Sequence, residues 1–109
     1  MTPVRVRSSA LLLAVMAGSA LAQDKPPGEA VIARNLAATC ANCHGTAGVA
    51  KGEMKSLAGR KEDELLKLLA DYRSGAQPAT IMHQIVKGYT EDQLKLVVKH
   101  FAALPAAKP

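Results

Sequence analysis

The sequence predicts an all-α fold of about four short helices. Two stretches, residues 62–73 and 90–104, repeat apolar side chains at helical spacing and carry helix-terminating signals. Two others, residues 29–39 and 81–87, are shorter or less clearly patterned but compatible with helices. Nowhere does the chain pair two alternating segments with the turn residues of a β-hairpin.

The first helix is expected over residues 29–39, an alanine-rich stretch in which Val31, Ile32 and Leu36 fall near one face. This helix would deliver Cys40 at its end. Glycines at positions 45, 48, 52 and 59 then predict a loop over residues 45–59.

The second helix is predicted over residues 62–73. Leu65, Leu68, Leu69 and Tyr72 follow the i, i+3, i+4, i+7 pattern of a buried helical stripe. The stretch starts with acidic residues and ends with Arg73, charges that suit the helix dipole, and Gly75 can cap it. Pro78 prevents continuation into the next segment, where residues 81–87 could form one or two turns ended by Gly88.

The last helix has the clearest start signal. Thr90 and Gln93 have capping-box spacing, so their side chains can satisfy free backbone N–H groups reciprocally. An apolar stripe follows, and Pro105 ends the run; the stripe comprises Leu94, Val97, Val98, Phe101 and Leu104.

The N-terminal residues 1–22 have the pattern of a secretory signal. Arg5 and Arg7 precede an apolar run over residues 10–17, and residues 20–22 read Ala-Leu-Ala, a cleavage-type site. The run is short for a membrane span, so we expect cleavage, a periplasmic location and no stable membrane insertion. The remaining chain divides into a lead-in (23–28), one domain (29–104) and a flexible tail (105–109).

The pentad Cys40-Ala41-Asn42-Cys43-His44 carries the functional signal. Cys-x-x-Cys-His is the attachment signature of c-type haem, in which both thiols form thioethers with the porphyrin and the histidine ligates iron. A plain disulfide or a redox dithiol is the alternative. The chain has two cysteines, and His83 and His100 lack finger-like spacing, so a four-ligand zinc site is hard to complete.

A haem would also account for the composition. The chain has two tyrosines, one phenylalanine and no tryptophan, so side chains alone make a marginal core, and we expect the haem-free chain to fold poorly. Loss of Arg5 and Arg7 takes the formal charge from +5 to +3, and two propionates would lower it further. The positive net charge of the chain therefore gives no indication of a nucleic-acid partner. Four lysines could border a docking face for an acidic partner or be ordinary surface: Lys51, Lys55, Lys61 and Lys87.

The second axial ligand of the iron would decide the chemistry. A weak or exchangeable ligand permits gas binding, whereas a strong one makes an electron carrier. The candidates after the signal are Met54, Met82, His83 and His100.

Three stretches resemble the small class I cytochromes c, especially the c553-type and the cytochrome subunit of flavocytochrome c sulfide dehydrogenase. They are residues 40–45 (CANCHG), 56–59 (SLAG) and 82–94 (MHQIVKGYTEDQL). The resemblance implies the class I cytochrome c fold around one covalently attached haem c, held by Cys40 and Cys43. It also implies His44 and Met82 as axial iron ligands, and a helix near 29–39 that crosses helix 90–104.

One position departs from the family pattern. The family commonly has proline where this chain has Lys55, and the carbonyl of that proline often accepts a hydrogen bond from the axial histidine. Lys55 still offers a carbonyl, without the fixed φ of proline.

The resemblance implies a one-electron carrier that serves redox partner proteins and is not itself an enzyme. A first alternative is the electron-accepting subunit of a sulfide dehydrogenase with a flavoprotein partner. A second is a ligand-binding or sensor cytochrome, which requires a weak or absent bond from Met82.

Overall fold

The computed structural model describes residues 27–109, which form four α-helices and one short 3₁₀ helix. The predicted signal 1–22 and most of the lead-in 23–28 lie outside these residues. No strand occurs between residues 27 and 109, so the all-α prediction is confirmed for this part. The elements are α1 (Glu29–His44), α2 (Glu62–Ser74), α3 (Met82–Ile85), the 3₁₀ helix (Val86–Gly88) and α4 (Glu91–Ala102).

The core lies where α1 and α2 both pack against α4. The predicted stripe of α4 faces this junction, and Leu104 packs at its edge. Phe101, at 1% exposure, is the largest of the fully buried side chains in the described range. The buried cluster consists of Ala37, Leu65, Val97, Val98 and Phe101.

Helix α1 differs from the prediction in its end and in its buried face. It continues through Cys40 to His44, so the pentad forms its last turn instead of following it. Of the predicted face, Val31 and Ile32 are exposed and Leu36 packs against the core; the buried positions are Ala33, Ala37 and His44. Small side chains let the backbones of α1 and α4 approach closely, which is why alanines occupy the contact.

The end of α2 and the start of α4 follow their sequence signals, whereas α4 ends at Ala102, before the predicted end at 104. Gly75 caps α2 in the left-handed conformation, with φ 84°. Thr90 accepts from the Gln93 amide at 3.2 Å, and the Gln93 side chain accepts from the Thr90 amide at 2.9 Å, so the capping box is formed.

The glycine-containing segment between α1 and α2 has no regular structure but is tied to α4. The Gly48 carbonyl accepts from the amides of Leu57 and Ala58, and the Gly59 amide donates to the Phe101 carbonyl at 3.0 Å. Gly48 has φ 70°, and a Cβ there would lie 2.9 Å from the Phe101 ring. Glycine is therefore needed where this loop crosses α4.

The C-terminal residues 105–109 have no regular secondary structure, and Ala106 lies beside Gly59. Flexibility of this tail stays a prediction. Across residues 27–109, no helix combines the length and apolar character needed to span a membrane.

Candidate functional site

A cleft opens between the end of α1, helix α2, helix α3 and helix α4. It encloses about 720 Å³ of space, part of which is open to solvent. The predicted stripe of α2 faces it in full, since Leu65, Leu68, Leu69 and Tyr72 all line it. The other apolar walls are Leu57, Ile85, Val86, Leu94, Val97, Val98 and Phe101.

His44 lies at the C-terminal end of α1 and lines this cleft. It is 8% exposed, and its Nδ1 lies 2.6 Å from the main-chain carbonyl of Lys55. A carbonyl can only accept, so Nδ1 carries the proton and donates. The lone pair of the ring is then on Nε2, which is the form of imidazole that can ligate a metal.

The loop after α1 brings Lys55 to this position. Gly45 follows His44 with φ 92°, and a Cβ there would collide with the carbonyl of Val49. The Ser56 hydroxyl accepts from the Ala50 amide at 2.9 Å, which closes the loop on itself. The hydrogen bond between His44 and the Lys55 carbonyl therefore depends on backbone geometry, and lysine serves where the family commonly has proline.

The two cysteines share the last turn of α1 with His44. Residues spaced by three and four along a helix are neighbours on its surface, so Cys40 neighbours both Cys43 and His44 on this turn. Cys40 is partly buried and lines the cleft, whereas Cys43 is exposed on the outer side. Both thiols are free, so the disulfide alternative is not formed in this structure. Burial raises the pKa of the Cys40 thiol, which keeps it protonated at neutral pH.

The structure separates the four candidates for the second axial ligand. Met82, the first residue of α3, lines the cleft together with His44 and Cys40. Met54 is 45% exposed in the loop, His83 faces a different depression beside α2, and His100 faces the outer side of α1. Among residues 27–109, Met82 is therefore the one candidate in the cleft. His83 Nδ1 is buried and finds no hydrogen-bond partner in this range.

These residues fit a haem of the c type. The donor set combines an imidazole held in its ligating tautomer with a soft, neutral thioether, and Cys40, one of the two thiols that would form thioethers, lines the cleft, with Cys43 three residues further along the same helix. The walls are apolar, as a porphyrin face requires. The cationic side chains of Lys55 and Arg60 are also among the lining residues and can offset propionate charge.

Some residues that line or support the cleft were not assigned to the site from the sequence. Tyr89 and Arg60 lie among the walls, but neither belongs to a predicted apolar stripe. Arg73, expected only to suit the end of α2, donates hydrogen bonds to the carbonyls of Val86 and Tyr89. These hydrogen bonds join residues far apart in sequence, so no local sequence pattern predicts them.

No family model matches the chain, but several characterised proteins are similar to it. The cytochrome subunit of sulfide dehydrogenase from Chlorobaculum tepidum is 32% identical over 63% of each chain. Cytochrome c-552 from Acidithiobacillus ferridurans is 32% identical over 60% of this chain and 28% of its own length. Cytochrome c-553 from Nitratidesulfovibrio vulgaris is 31% identical over 61% of this chain and 70% of its own length.

The match spans less than two thirds of the first two relatives, but it covers more than two thirds of cytochrome c-553. The helices around the cleft form a class I cytochrome c fold, as the resemblance implied. The chain therefore belongs to the family of small c-type cytochromes, electron-transfer proteins that carry covalently bound haem c.

Proposed function

We propose that the protein is a periplasmic one-electron carrier with a single haem, whose iron is ligated by His44 and Met82. The observation that carries the proposal is that Met82, alone among the candidate ligands in residues 27–109, lines the cleft that His44 and Cys40 also line. The bound haem would supply reversible exchange of one electron between ferric and ferrous iron.

The side chains have distinct roles in this proposal. Cys40 and Cys43 would hold the haem covalently, each through a thioether formed when its S–H adds across one vinyl group. His44 presents Nε2 while the Lys55 carbonyl holds its Nδ1 proton. Met82 would supply a neutral sulfur, a ligand that favours ferrous iron and so would raise the potential. The apolar walls would exclude water from the two axial ligands.

The periplasmic location rests on the sequence. The pattern of residues 1–22 is that of a secretory signal, and attachment of haem c in bacteria takes place outside the cytoplasm. N-terminal sequencing of the exported protein tests this part: a start at Gln23 supports it, and a retained Arg5–Arg7 region contradicts it.

A redox titration of the matured protein tests the electron-carrier role. We expect a single Nernstian transition of one electron, reversible, and no binding of carbon monoxide to the reduced protein at neutral pH. Ready binding of carbon monoxide would contradict a stable Met82 bond and favour the ligand-binding or sensor function.

A second candidate function is that of an electron-accepting subunit. It is favoured by the similarity to a protein named as the cytochrome subunit of sulfide dehydrogenase. In that case a flavoprotein partner would oxidise the substrate and pass electrons to the haem. Lys51, Lys55, Lys61 and Lys87 are all exposed and could meet an acidic partner. Purification from the native host under low salt separates the two: a free carrier elutes as a monomer, whereas a subunit elutes with a flavin-containing chain.

A further inference from the structure

The segment that carries Met82 is too short to hold itself in place. Helix α3 has four residues, Met82–Ile85, and the 3₁₀ helix that follows has three, Val86–Gly88. Helices of this length gain little from their own hydrogen bonds, because the conformational entropy lost in forming the first turn exceeds the stabilisation that the hydrogen bonds of one turn provide. The position of Met82 must therefore depend on contacts with longer elements.

Arg73 provides such a contact from the last turn of α2. Its Nη2 donates to the Val86 carbonyl at 2.8 Å and to the Tyr89 carbonyl at 2.5 Å, and the side chain is partly buried. Charge-assisted hydrogen bonds are stronger than neutral ones. The two carbonyls bracket the 3₁₀ helix, so a single guanidinium holds both of its ends.

The held carbonyls are directly connected to Met82 and to α4. The Val86 amide donates to the Met82 carbonyl, and Tyr89 immediately precedes Thr90, the N-cap of α4. Val86 is 1% exposed and lines the cleft beside Met82. Displacement of the 3₁₀ helix would consequently move Met82 relative to His44.

We infer that Arg73 is a positioning residue that holds the Met82-bearing segment closed over the cleft and so limits exchange of the methionine ligand. The inference rests on the proposed ligation of iron by Met82. It assigns to Arg73 a role in the strength of the axial bond, in addition to any role in folding.

The test compares Arg73→Gln and Arg73→Lys with the wild type and with Lys67→Gln. Lys67 lies on the same helix in an exposed pair with Asp71, so its substitution removes the same charge without touching the segment. Imidazole is titrated against the ferric protein, because its apparent affinity rises with the fraction of molecules in which the methionine has left.

We expect Arg73→Gln to raise the apparent imidazole affinity about tenfold or more, given the loss of two charge-assisted hydrogen bonds. Arg73→Lys should also raise it, because an ammonium is more strongly hydrated and sits on a flexible stem, so it is less well preorganised to donate to both carbonyls. Lys67→Gln should match the wild type. Equal affinities in all four proteins would overturn the inference.

The Met82→Ala background separates this inference from the proposed function. Without a sulfur to displace, Arg73→Gln should have no further effect on imidazole affinity. If Met82→Ala itself leaves the affinity unchanged, the ligand assignment is wrong, and with it the inferred effect on the axial bond.

Amide hydrogen exchange then tests the positioning role itself, because it distinguishes local loosening of this segment from a loss of stability of the whole fold. Arg73→Gln should speed exchange at Gln84, Ile85 and Tyr89, whose amides donate within this segment, while Val98, buried in the middle of α4, keeps its rate. Equal acceleration at Val98 would mean that Arg73 only stabilises the whole fold, which contradicts a positioning role.

Discussion

The Nδ1–H of His44 donates to the main-chain carbonyl of Lys55 across 2.6 Å, linking the end of α1 to the loop that precedes α2. Because the acceptor is a backbone atom, the contact survives the presence of lysine where the family commonly has proline. It fixes the tautomer of His44 and leaves Nε2 for the iron.

This hydrogen bond predicts a protected ring proton on His44. In the reduced protein, ¹H–¹⁵N correlation NMR should show a proton on His44 Nδ1 that exchanges slowly with solvent. The ring is buried, and this proton is hydrogen-bonded to the Lys55 carbonyl. Lys55→Ala should preserve this signal, since it keeps the carbonyl. A ring proton that exchanges as fast as that of a free imidazole would contradict the assigned contact.

The role of the two thiols predicts a graded loss of covalent haem. Cys40→Ala or Cys43→Ala should leave at most one thioether, and the double variant should carry no covalent haem after maturation. Mass spectrometry of the denatured protein counts the attached haem directly. A haem mass still attached to the double variant would refute attachment through the pentad.

Phe101 should be a major contributor to stability. It is 1% exposed within the core cluster, so Phe101→Ala should lower the free energy of unfolding by about 3–5 kcal/mol, measured by chemical denaturation. Ile81, 52% exposed, is the matched apolar control, and Ile81→Ala should cost about 1 kcal/mol or less. Similar losses for both variants would contradict the assigned core.

Substitutions at two glycines in the loop allow the cost of backbone strain to be measured separately from the cost of a steric clash. Gly48 and Gly52 have φ of 70° and 65°, but a Cβ at Gly48 would meet Phe101 and Ala58, whereas a Cβ at Gly52 would meet nothing within 4 Å. Gly52→Ala should therefore cost about 1–2 kcal/mol from the left-handed conformation alone.

Gly48→Ala carries the same strain together with a clash against α4, and it should cost at least about 1 kcal/mol more than Gly52→Ala. Paired denaturation curves measure the difference. If both substitutions have the same cost, the loop does not pack on Phe101 as described.

Local signals predicted the fold well. The Thr90–Gln93 capping box and the Gly75 cap involve neighbouring residues, so their chemistry is visible in the sequence and the helix ends follow it. The face of α1 was predicted wrongly at Val31 and Ile32, though not at Leu36, because these two residues are more hydrophobic than Ala33 and Ala37. The helix instead packs its small residues against α4. Which face packs depends on the shape of the α4 surface, which the sequence of α1 does not contain.

The candidate site required both local and long-range information. The pentad is contiguous, so Cys40, Cys43 and His44 could be named from the sequence. Met82 could be named through the resemblance, because four candidate ligands were otherwise open. The contacts of Arg73 with Val86 and Tyr89 span 13 and 16 residues and depend on the packing of α2. Contacts of this kind produce no periodic pattern in the sequence.

The most direct test of the account is the far-red absorption band of the ferric protein that reports sulfur bound to iron, measured in the wild type, Met82→Ala and Met54→Ala. Met54 is exposed and lies outside the cleft, so its substitution is the matched control. We predict that the wild type and Met54→Ala show the band and that Met82→Ala loses it, with a lower reduction potential. A band that persists in Met82→Ala, or that is absent from the wild type, would contradict ligation of the iron by Met82.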